Sequence, residues 1–191
     1  MGAGLLLPRL ALRAFCSGLN YLHTLVCRVM DTEFRFTKTF RRLVANTNIN
    51  DSSLLATDYL NHFNEIVMIL EMVPDMPEMI KEAIEWQPRS YVDHFELSSF
   101  TDKKLAIWAY ENAPPDFFHA FEDLLEAANV VITTNINKID SLINTVGEDQ
   151  LRDEVSIRCK SISLVLEKIS AVINGSIVRM DQHQIDELLA S

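Results

Sequence analysis

Glycine is scarce in this 191-residue chain, with five in all, and only Gly147 and Gly175 fall after residue 18. A glycine-rich phosphate loop and a GxSxG nucleophile turn are both missing, which removes the common phosphate-cradling and serine-hydrolase chemistries. Cysteine is rare too: Cys16, Cys27 and Cys159 form no CxxC pair and no even-numbered framework. That pattern fits a reduced compartment and argues against a structural zinc site. No apolar run reaches the roughly 18 residues that a membrane-spanning helix needs, so the expectation is a soluble chain. Basic residues are the minority, 17 against 27 acids, for a net charge of −10. Such a chain is repelled by phosphate backbones and anionic lipid surfaces, so neither nucleic acid nor membrane is expected as a partner.

What is present is apolar residue in quantity, 48% of the chain, enough to bury one domain's core. Charge is unevenly placed. Residues 1–30 carry Arg9, Arg13 and Arg28 and no acid, which leaves the body more acidic than the whole. The stretch reads as a targeting peptide of mitochondrial type, or as a start assigned upstream of Met30, the reading favoured here. A cytoplasmic location follows from the second reading and a mitochondrial one from the first. The organisation expected is therefore residues 1–30 as leader or mis-assigned start, 31–175 as a helical bundle, and 176–191 as a C-terminal partner-binding tail.

Apolar residues recur at threes and fours, while alternation of period two does not appear, so the fold class expected is all-α. Helices are expected at 32–46, 52–73, 76–86, 102–112, 116–146 and 149–174, with a short tail helix at 181–190. "QPRSYVDHFELSSF", residues 87–100, reads as a loop or short lid. Between the two longest helices "VGEDQ" offers Gly147 as a helix C-terminus and Asp149 as the next N-cap. These two helices are expected to form an antiparallel hairpin roughly 40 Å long, exposing a stripe for other helices or a second copy, hence a homodimer.

Candidate chemistry concentrates in "LLATDYLNHFNEIVMIL", residues 54–70. Leu55, Tyr59, Phe63, Ile66, Val67 and Leu70 share one helical arc, and Asp58, Asn61, Asn64 and Glu65 share the opposite one. A solvated polar face is the plain reading. The functional one has Asn61 and Glu65, a turn apart, with Asn64 beside them, project into a partner and position a water against a phosphoryl group. His62 with Glu65, and His119 with Glu122, repeat His-x-x-Glu, which raises a metal-binding bundle as an alternative; the di-iron carboxylate order is the reverse. His62 and His119 are also the candidates for a phosphotransfer histidine, but neither is followed by the usual Lys and Gly. Cys159, in mid-helix, reads as packed rather than reactive. No cofactor is expected.

The chain ends "DQHQIDELLAS". Ile185, Leu188 and Leu189 fall on one helical face, so the stretch either folds back on the core or enters another protein's groove. With Gln182 and Asp186 they make a pattern that resembles the short peptides through which the CheZ family of chemotaxis phosphatases and the FliM type of flagellar switch protein bind a phosphorylated CheY-like receiver domain. The terminal position is closer to CheZ. "LATDYLNHFNEIV" is also similar to that family's catalytic stretch, with Asn61 and Glu65 where the family has Asp and Gln. The resemblance implies a chemotaxis or flagellar accessory protein whose tail recruits the activated receiver. It further implies that Asn61, Glu65 and Asn64 face the receiver's aspartyl phosphate, any Mg²⁺ belonging to the receiver. A non-enzymatic adaptor that sequesters the receiver uses the same tail.

Overall fold

Threes-and-fours spacing of apolar residues becomes helix nearly throughout the computed structural model, which describes residues 39 and 41–190. The readings of residues 1–30, with Cys16 and Cys27, and most of the helix expected over 32–46 lie outside the described residues. Val44 onward forms one compact unit. A 3₁₀ turn, Thr57–Leu60, leads into α1, Asn61–Met72; a second, Pro77–Met79, leads into α2, Ile80–Glu85. Then follow α3, Tyr91–Leu97; α4, Lys103–Glu111; α5, Pro115–Leu142; α6, Glu148–Ile173; and α7, Gln182–Ala190. No strand occurs among the described residues, only an isolated bridge between Ile49 and Ala56. The fold is all-α.

The two long helices, α5 and α6, pack on each other more extensively than any other pair. From α5, Ala120, Leu124, Ala128, Val131, Ile132 and Ile139 are buried; from α6, Val155, Ile162, Val165, Ile169 and Val172 are. Against this pair α1 packs on α6, and α2 packs on α5. An aromatic core closes the end nearer the start of α5, where Tyr59, Phe63, Tyr91, Phe95 and Phe121 are fully buried. Burying one such side chain contributes roughly 1.5–3 kcal/mol before the cost of ordering it, so this cluster holds α1, α3 and α5 together.

Three local expectations are corrected. Residues 50–56 are a turn, not the first part of a helix beginning at 52. Asn50 Oδ1 accepts from the amides of Ser52 at 2.9 Å and Ser53 at 3.0 Å, and Leu54 takes a positive φ of 62°. An asparagine side chain that captures these amides competes directly with a helix's first turn. Residues 91–97, expected as loop or lid, form α3: Ser90 Oγ accepts from the amide of Asp93 at 3.1 Å and donates to its Oδ2 at 2.6 Å. Finally, α5 ends at Leu142, and Gly147 is the N-cap of α6 rather than the end of α5; Glu148 and Asp149 occupy the first turn of α6, where the helix dipole favours acids.

Gly175 does end α6. With φ at 92° it lets Ser176 N–H reach Ala171 O at 2.9 Å and its own N–H reach Val172 O at 3.0 Å. These are the two bonds of a Schellman cap, and the left-handed residue they require favours glycine. The cap turns the chain away from α6 and sends residues 176–181 toward α7.

Candidate functional site

Asn61 opens α1, its amide still bonded to the carbonyls of the preceding 3₁₀ turn. Asn64 and Glu65 lie one turn further on, and all three side chains are exposed. The helix fixes their spacing because Tyr59, Phe63, Ile66 and Leu70, on the other side, are buried. Two carboxamides and a carboxylate are thus brought together on one exposed helical face, with hydrogen-bonding ends free to meet another surface.

His62 sits between them and points the opposite way, 3% exposed. Its Nε2 accepts from the amide of Arg89 at 3.1 Å, and its ring stacks on Trp86 with centroids 4.8 Å apart and planes at 20°. Burial, and then the Arg89 charge, lower its pKa to about 4, so the ring is neutral at ordinary pH. His94, 6.1 Å away between centroids, is also held below its usual value, mainly by burial. His62 is therefore a structural acceptor that anchors the turn before α3. With Nε2 so engaged, Glu65 exposed on the other face, His119 exposed on α5, and Glu122 bonded to Tyr110, the four residues of the metal-bundle reading are not gathered. Among the described residues no group of three or more His, Cys, Asp or Glu side chains is placed to hold a metal.

A polar crevice of about 430 Å³ opens beside the aromatic core, between the turn before α3 and α5. Tyr59, Tyr91 and Tyr110 line it together with Arg89, Glu122 and Glu126. Tyr59 donates to Arg89 O at 2.7 Å, Tyr91 accepts from the amide of Ala56 at 2.8 Å, and Tyr110 donates to Glu122 Oε1 at 2.9 Å. Burial above all, with Glu122 adding to it for Tyr59 and Tyr110, pushes these phenols well above their ordinary range, so they act as neutral hydrogen-bonding groups. Tyr91 and Tyr110 stack face to face at 4.5 Å, so their rings are spent on each other. The crevice joins elements; its place was not visible in the sequence, because its residues come from four separated segments.

Cys159 is buried in α6, and burial, then Glu71, push its thiol up to about 12, which makes it inert as a nucleophile. The reading of Cys159 as packed agrees with this placement.

The tail is a helix with its own start signal. Asp181 Oδ1 accepts from the amide of Gln184 at 2.9 Å, and Gln184 Oε1 accepts from the amide of Asp181 at 3.2 Å, a reciprocal capping box. One turn along, Gln182 Nε2 donates to Asp186 Oδ1 at 2.8 Å. The helix lies against α5 and α6 with Ile185, Leu188 and Leu189 half-buried, Gln182 and Asp186 exposed, and no residue fully buried. Lys138 Nζ of α5 donates to the carbonyl of Leu189, at the end where a helix's carbonyls attract a cation. Between the tail and α5 a gap of about 330 Å³ persists, lined by Asp123, Glu126, Ala127, Val130, Met180, Gln182, Ile185 and Leu189.

Among the described residues no helix is long and apolar enough to cross a membrane. Comparison of the chain with protein-family models, with curated proteins and with solved structures returns no match.

Proposed function

We propose that this chain is an all-α accessory protein of a phosphorelay, and that it binds a CheY-like receiver domain through its C-terminal helix. The observation that carries the reading is the tail itself: a locally capped amphipathic helix at residues 182–190 whose apolar side chains are partly, and none of them fully, buried against the body. Gln182, Ile185, Asp186, Leu188 and Leu189 are the contact residues. An amphipathic helix of this length anchors by its apolar residues in a groove, and its acids meet basic groups at the rim.

Asn61, Asn64 and Glu65 form the second contact, reaching the receiver's aspartyl phosphate once the tail holds it. In this reading Asn61 and Asn64 orient water by hydrogen bonding, and Glu65 accepts a proton from it. A carboxylate at Glu65, unlike an amide, also repels the dianionic phosphoryl group, and this favours a second reading, the adaptor that binds without promoting dephosphorylation. Dimerisation belongs to the same proposal. Ile157 and Leu164, two turns apart on α6, are exposed large apolar side chains available to a second copy.

The test is a phosphate-release assay on a phosphorylated receiver, run with the wild-type chain and with the pair Asn61→Ala, Glu65→Ala. Phosphatase action predicts that the variant binds as before and loses turnover by at least tenfold. Equal, slow release with both proteins assigns the adaptor reading, and an absence of binding by either rejects the receiver as partner.

A further inference from the structure

The apolar residues of the partner pattern are the ones that face the body. Ile185 and Leu189 line the gap against Ala127 and Val130 of α5, and the Leu189 carbonyl is held by Lys138. A groove that takes the apolar face of α7 must therefore displace it from α5 first. We propose that the docked tail is a self-occluded state, and that Lys138 is the latch that holds it closed. The proposal rests on the tail being the partner-binding segment and adds how its availability is set.

Three observations make the docked state a weak one, suited to release. First, α7 has no fully buried residue, whereas every other α-helix from α1 to α6 has at least two. An element with so little buried surface lies at the low end of local stability. Second, an open gap of about 330 Å³ runs beside Ile185 and Leu189 on the α5 side, so these side chains are not closed over on that edge. Third, the charges are poorly matched. The gap beside the tail is lined by Asp123 and Glu126 and by no basic residue, while the tail itself carries Asp181, Asp186 and Glu187. A groove with a basic rim offers the tail more attraction than α5 does.

Release needs no rearrangement of the core. The α6 cap at Gly175 stays in place, residues 176–181 are non-helical, and the tail's capping box is internal to it. A six-residue connection keeps the released helix close to α5, so closed and open forms exchange, and a partner captures only the open fraction. Its apparent dissociation constant is the intrinsic one divided by that fraction.

The test compares full-length chains for binding to a beryllofluoride-activated CheY-like receiver: wild type, the body-side pair Val130→Asp, Lys138→Ala, and the tail pair Leu188→Ala, Leu189→Ala. Val130 is 45% exposed and Lys138 is only partly buried, neither belonging to the buried core, so the body-side pair leaves the core intact. Occlusion predicts that the body-side pair binds at least tenfold more tightly than wild type, because it removes a charge-assisted hydrogen bond from the closed form and sets a carboxylate against Ile185 and Leu189. Without receiver, its amides over 182–190 exchange with deuterium faster than in wild type. Unchanged affinity in the body-side pair overturns the occlusion while leaving receiver binding intact. If the tail pair binds as well as wild type, or nothing binds, the underlying reading fails and the occlusion with it.

Discussion

His62 shows how a single buried side chain writes a pH dependence into this fold. Its folded-state pKa of about 4 lies below the ordinary 6.5, so between those values the unfolded chain holds a proton that the folded chain refuses. The stabilising contribution is full above about pH 6.5 and is lost as the pH falls toward 4. The loss is of the order of 2–3 kcal/mol. His62→Gln keeps an acceptor for the Arg89 amide and does not titrate, so its urea midpoint changes less than that of wild type between pH 7 and pH 4.5. Arg158 makes a second residue-level case. It is buried between the long helices, bonded to Asn135 Oδ1 at 3.3 Å and to Glu154 at 2.7 Å. Arg158→Ala strands the Asn135 oxygen and costs about 2–3 kcal/mol in chemical denaturation. The double change Asn135→Leu, Arg158→Met removes the buried Asn135–Arg158 pair, leaves Glu154 with its access to water, and recovers most of that loss.

At the scale of elements, the sequence is most readable where one periodic signal runs for many residues. The two longest helices were legible because apolar residues repeat over seven or eight turns, a signal that no local side-chain bond can outweigh. Where elements are short, single side chains decide. Asn50 diverts residues 50–56 into a turn by capturing two amides, although Leu54 and Leu55 sit on the helical pattern. Ser90 and Asp93, spaced as a capping box, start α3 in a stretch that otherwise reads as loop because of Pro88 and the paired Ser98 and Ser99. That spacing was visible in the sequence and was the signal to use. Ser90→Ala is expected to cost about 1 kcal/mol, read as a lowered unfolding midpoint. Gly175→Ala keeps ordinary contact distance from Ser52 but forces an L side chain to φ of 92°, so a loss of about 1–2 kcal/mol is expected by the same measurement.

The candidate site divides in the same way at the scale of the whole molecule. The exposed face of Asn61, Asn64 and Glu65 and the amphipathic tail each follow from helical spacing, and both could be located in the sequence. The partnership of the tail with α5 could not. It depends on Lys138 and Val130, which lie some fifty residues upstream and carry no local mark of that role. The polar crevice among Tyr59, Tyr91 and Tyr110 was hidden for the same reason, being assembled from segments that meet only when the aromatic core forms. As proposed, an acidic helical body stores an amphipathic helix on its own surface and lends it to a receiver domain. Titration of the full-length chain with a CheY-like receiver, with and without beryllofluoride, tests that account most directly. Binding that tightens at least tenfold on activation and is lost in Leu188→Ala, Leu189→Ala is the predicted result; binding indifferent to activation, or none, would contradict it.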